Sequence, residues 1–139
     1  MSTEPVVVKY AAIKFFYPPG GGKAKRMLTP ETCGSTHFYG GFAFSEPGKT
    51  LHRWHRHTYD RGESYEVEFP PDFEEAYFIV EGEGTLQWKI YDQIKECKVE
   101  KGDAIFFPKG CCEHQLLNTG KNTLTAVFVG APPKIKIMK

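Results

Sequence analysis

His55 and His57 lie one residue apart, and Glu75 and His114 follow them in runs of strand-forming residues broken by glycine and proline. Three imidazoles and one carboxylate form a donor set for a divalent transition metal. Two segments carry these residues. The first, Gly48 to Gly82, holds the histidine pair and Glu75. The second, Gly102 to Asn118, holds Pro108, Gly110 and His114. A carboxylate and three neutral imidazoles leave an M²⁺ ion at a net charge of about +1, which favours an anionic oxygen donor as ligand. Two further residues are candidates for catalysis. Arg53, facing inward, would pair with a substrate carboxylate in bidentate geometry; a surface position is the equal alternative. The Tyr77 hydroxyl would donate to a developing oxyanion, with core packing as the simpler reading. Cys111 and Cys112, close to His114, read as small buried hydrophobes rather than nucleophiles. His37 and His52 read as surface or core histidines.

The elements that must position these groups are strands. Side chains alternate across a strand, so a strand over Leu51 to His57 puts His55 and His57 on one side with Arg53, and His52, Trp54 and Arg56 on the other. By the same parity Glu75 shares a face with Tyr77 and Ile79, and His114 shares one with Leu116 and Asn118. Short β-branched and aromatic runs recur between turn signals: Val6–Val8, His37–Phe44, Leu51–His57, Glu75–Glu81, Thr85–Tyr91, Ala104–Phe107 and Thr123–Val129. No window carries a helical stripe, so the fold class is all-β, a sandwich or barrel. Gly20 to Lys25 reads as a flexible surface loop, and Gly82-Glu83-Gly84 as a tight hairpin. The stretch 58–74 is long, acidic and aromatic. It separates the histidine pair from Glu75 and is expected at the mouth of the site, with an extra strand over 64–69.

At 139 residues the chain is expected to form one domain, and its 40% apolar content suffices for a core. A net charge of +1 gives no electrostatic case for a nucleic-acid partner. No apolar run is long enough for a membrane span, and the N-terminus lacks a secretory pattern. Cys33, Cys97, Cys111 and Cys112 show no disulfide or zinc-ribbon spacing, which points to a reducing, cytoplasmic setting.

At these residues the chain resembles the cupin superfamily, in particular its small conserved-barrel members. The first motif is carried by Gly48, by His55-Arg56-His57, and by Glu75 with six residues before Gly82. The second is carried by Gly102, Pro108-Lys109-Gly110, His114 and Asn118, with three residues between Gly110 and His114. The resemblance covers 36–130. It departs from the family in the seventeen residues between His57 and Glu75, where the family has a short spacer. Glu63 lies nearer the histidines; Glu75 is preferred for its step to Gly82. The resemblance implies a double-stranded β-helix, or jelly-roll, barrel with His55, His57, Glu75 and His114 as ligands of Fe, Mn, Ni, Zn, Co or Cu. It also implies a homodimer, with the N-terminal strand region 5–17 packing on the partner. The expected function is a metal-dependent cupin acting on a small oxygenated, anionic substrate, with dioxygenase or other oxidoreductase chemistry leading. The alternatives are an isomerase, decarboxylase or lyase, or a cupin that binds metal or ligand without turnover.

Overall fold

The computed structural model describes residues 3–56, 67–133 and 136–137, with 67–68 and 136–137 described by backbone alone. Two antiparallel sheets share one core. The larger has the spatial order β1 (Lys23–Leu28), β2 (Tyr39–Ser45), β9 (Leu124–Ala131), β4 (Glu74–Glu81), β7 (Ala104–Phe107). The smaller runs β6 (Gln93–Glu100), β5 (Glu83–Ile90), β8 (His114–Asn118). A two-stranded ribbon pairs β3 (Val67–Glu68) with β10 (Lys136–Ile137). A short α-helix, α1 (Pro30–Cys33), is capped by the Thr29 and Thr32 side chains. From β4 the chain crosses to β5 and β6 of the smaller sheet, returns to β7, crosses again to β8 and returns to β9, which makes the barrel a jelly roll.

Residue parity explains the inner wall. Along β4, Glu75, Tyr77 and Ile79 are buried while Glu74, Phe78 and Val80 face out. Along β8, His114, Leu116 and Asn118 are the buried set. Both faces agree with the alternation read from the sequence. Tyr77, Phe107 and Phe128 from the larger sheet join Val99 and Leu116 from the smaller in a single apolar cluster. Burying each such side chain contributes roughly 1.5–3 kcal/mol.

Several expectations are corrected. Gly82 does not close a hairpin between paired strands. With φ +85° it turns the chain from one sheet into the other, and β5 pairs with β6 and β8 rather than with β4. The true two-residue hairpin is at Tyr91-Asp92, where Tyr91 takes φ +54° without any glycine to signal it. The segment expected as a loop at Gly20–Lys25 instead enters β1, which pairs antiparallel with β2. Val6–Val8 form no strand and lie largely exposed. Apart from these corrections, Tyr10 packs against Phe42 and Phe15 against Phe44 of this chain's own sheet. Of the long 58–74 stretch, residues 58–66 lie outside the described residues, and with them the first half of the expected strand over 64–69; its second half holds β3, Val67–Glu68. Its far end is core: Phe69 and Phe73 are buried, with ring centroids 4.6 Å apart.

Candidate functional site

The segment from Thr50 to His55 is not a regular strand. It is held from two sides. Leu51 and His55 donate their N–H groups to Leu116 and His114 of β8, each at 3.0 Å. Thr50 and Arg53 donate to Gly20 and Pro19 on the other flank, at 3.1 and 2.9 Å. Only its two ends, Thr50 and His55, form bridges, and the bends at Leu51, His52 and Trp54 between them break the expected parity. This overturns two expectations. Arg53 is exposed, so it does not face the interior. His52, placed on the opposite side by strand parity, turns inward, its ring centroid 3.8 Å from that of His55. His57 lies outside the described residues.

His55 and His114 are bridge partners on adjacent backbone segments, with ring centroids 4.5 Å apart. Each ring is fixed by its Nδ1. His55 Nδ1 is 2.8 Å from the Arg53 carbonyl oxygen, and His114 Nδ1 is 2.9 Å from that of Cys112. A carbonyl can only accept, so both Nδ1 atoms carry the proton, and in the neutral ring the lone pair sits on Nε2. Phe107 stacks on His114 at 4.3 Å and holds its plane.

Glu75 enters from β4, between Phe107 of β7 and Gly130 of β9. Its carboxyl is buried and accepts a hydrogen bond from the Tyr39 hydroxyl at 2.9 Å. Burial pushes Glu75 up to about 8, against the opposing pull of that hydrogen bond and of Arg26. Burial also lowers His114 to about 4 and His52 to about 3, so both rings are neutral at pH 7. Burial raises the Tyr39 and Tyr77 hydroxyls well above their ordinary value, with the Glu75 charge adding to it.

A cavity of about 60 Å³ lies among these groups, lined by His52, His55, Glu75, Tyr39, Tyr77 and Arg26, with apolar residues between them. It exceeds the ~10–15 Å³ that one water needs. The structure therefore brings together His55, Glu75 and Tyr77, sets His114 against His55, and leaves Arg53 outside. Tyr39, His52 and Arg26 are additions. Tyr39 lies in a run read as a strand, and its inward parity was the available signal. Arg26 was hidden by the reading of its neighbours as loop.

The donor set suits a divalent metal. Two imidazoles are each oriented by a backbone carbonyl, the usual support of metal-bound histidine. A buried carboxyl held protonated would ionise beside a cation. Among the described residues no three His, Cys, Asp or Glu side chains form a closed metal-binding group by themselves. Cys111 Sγ is 3.9 Å from His114 Nδ1. Burial, then Cys112, pushes the Cys111 thiol up to about 11, so it is a protonated packing group rather than a nucleophile.

Comparison with known proteins adds the family context. The family model described as "Cupin domain" matches residues 41–130. A putative sugar phosphate isomerase from Acidithiobacillus ferrooxidans is 24% identical with TM-score 0.56, over 78% of this chain and 58% of the other. A predicted oxalate decarboxylase from Thermotoga maritima is 20% identical with TM-score 0.64, over 96% and 100%. An oxalate oxidase is 17% identical with TM-score 0.68, over 95% and 62%. The chain thus spans about three fifths of the isomerase and of the oxidase. No curated protein sequence matches the chain. These neighbours share the barrel and differ in chemistry. No described helix is long and apolar enough to cross a membrane.

Proposed function

The chain belongs to the cupin family, and we propose that it is a metal-dependent member acting on a small oxygenated, anionic organic substrate, with oxidoreductase chemistry of the dioxygenase type. His55, His57, Glu75 and His114 would hold the ion. The observation that carries this reading is the matched orientation of two buried imidazoles, each with Nδ1–H spent on a carbonyl. Bound there, a redox-active metal supplies a Lewis-acid and electron-transfer centre. The protein's own groups do the rest. Tyr39 orients the Glu75 carboxyl, and Tyr77, its hydroxyl kept protonated by burial, lines the cavity. The apolar lining limits access of water.

The functional unit in this reading is a homodimer. Phe78, Phe106 and Val129 stand exposed on the outer face of the larger sheet, at 46, 61 and 38%. Such an apolar patch suits a two-fold contact with a second copy. The four cysteines are unpaired, which supports a reducing, cytoplasmic setting.

Elemental analysis of the purified protein beside a His55→Ala/His114→Ala double variant tests the metal. Near-stoichiometric Fe, Mn, Cu or Ni that is lost in the variant, with dioxygen uptake on a suitable acid, is the expected result. Zinc without dioxygen uptake would move the reading to isomerase or lyase chemistry. No metal after reconstitution would end it.

A further inference from the structure

Strand β1 carries three cations in sequence, Lys23, Lys25 and Arg26, and treats them differently. Lys23 and Lys25 point to the outer side, where they lie 4.3 Å over the Phe15 ring and 3.5 Å over the Tyr10 ring. Arg26 has the parity of Ala24, and both line the cavity. Its guanidinium carbon sits 4.0 Å over the Phe16 ring. Phe16 is itself held against β1 by paired backbone hydrogen bonds to Ala24, at 2.7 and 2.8 Å. The arginine is therefore braced, half-buried and aimed at the space that His52, His55 and Glu75 also face. Among the described residues no carboxylate forms an ion pair with it.

A half-buried guanidinium in a largely apolar cavity loses hydration, and an anion restores that loss best, by charge as well as by hydrogen bonds. Its planar fork matches the two oxygens of a carboxylate. We propose that Arg26 is the anion anchor of this cavity, binding the carboxylate of a small hydroxy- or oxo-acid whose remaining oxygens reach the imidazole–carboxylate cluster. The inference rests on the metal-dependent reading above for the second half of that contact, and it replaces Arg53 as the cation facing substrate. The small cavity selects against large acids. The field of Arg26, which pulls Glu75, Tyr39, Tyr77 and His52 toward lower values, agrees with its position beside all four.

The test is titration calorimetry of the metal-loaded protein with glycolate and with its neutral isostere glycolamide, on wild type, Arg26→Gln and Arg26→Lys. Wild type should bind glycolate at least about tenfold tighter than glycolamide, the scale of one charge-assisted hydrogen bond. Arg26→Gln should lose that preference with unchanged metal content, and Arg26→Lys should keep part of it. Glycolate affinity in Arg26→Gln equal to wild type would overturn the anchor. So would a wild type that binds the acid and the amide equally, even with full metal. A protein that takes up no metal would remove the metal reading. In that case the same comparison on metal-free protein still decides the anchor.

Discussion

His55 and His114 exchange both of their backbone hydrogen bonds, N–H to oxygen at 3.0 Å in each direction. This pairing, with Phe107 against the second ring, fixes the 4.5 Å spacing of the two imidazoles before any ligand arrives. Preorganisation of this kind lets binding energy go to the ligand rather than to ordering the site.

Tyr39→Phe removes the only hydroxyl shown bonding Glu75 among the described residues. Its loss leaves a buried acceptor less satisfied, so stability should fall by about 1–3 kcal/mol in urea denaturation. Metal affinity should fall roughly 10–100-fold, as for other supporting partners of metal ligands. An unchanged affinity would show that the bond is structural only.

Gly130→Ala places a methyl 2.5 Å from Phe73 Cζ and 2.7 Å from Tyr39 Cε1. Overpacking there should cost about 1–3 kcal/mol and displace Tyr39 from Glu75. Denaturation midpoints with unchanged m-values would read the stability loss directly. A neutral substitution would mean that both rings relax freely.

Metal-free protein should be most stable near pH 6.5. Below that, the unfolded chain takes up protons that buried His114 and His52 accept only near 4 and 3, so stability falls with falling pH. Glu75 acts in the opposite sense. Its folded value of about 8 against 4.5 unfolded means that stability falls as pH rises between them. Above 6.5 only Glu75 operates, giving a declining limb to about pH 8. Glu75→Gln should remove that limb from the urea midpoint profile; its persistence would assign the limb elsewhere.

Phe106→Lys should leave the fold intact, since the side chain is 61% exposed on the outer face. It should split a homodimer to monomers in light scattering after gel filtration. A wild type that is already monomeric at high concentration would retire the dimer.

Much of this was open to the sequence because period-two burial is a local property. The faces of β4 and β8, with Glu75, Tyr77 and Ile79 on one and His114, Leu116 and Asn118 on the other, follow from alternation alone. So do the all-β class and the family motifs, which rest on residue type and spacing. Alternation failed where the chain is not a strand. Between Thr50 and His55 the backbone bends to meet β8 on one flank and Pro19-Gly20 on the other, which sends His52 inward and Arg53 out. Sheet membership was equally closed to local reading. Whether Gly82 joins paired strands or carries the chain between sheets depends on partners distant in sequence. The contacts that make the cavity a site are of this long-range kind. Tyr39 meets Glu75 across 36 residues, and Arg26 reaches the cavity only because β1 pairs with β2. Residue types and their spacing determined which groups were available for chemistry. Tertiary pairing alone decided which of them face one another, because no single strand specifies what lies opposite it.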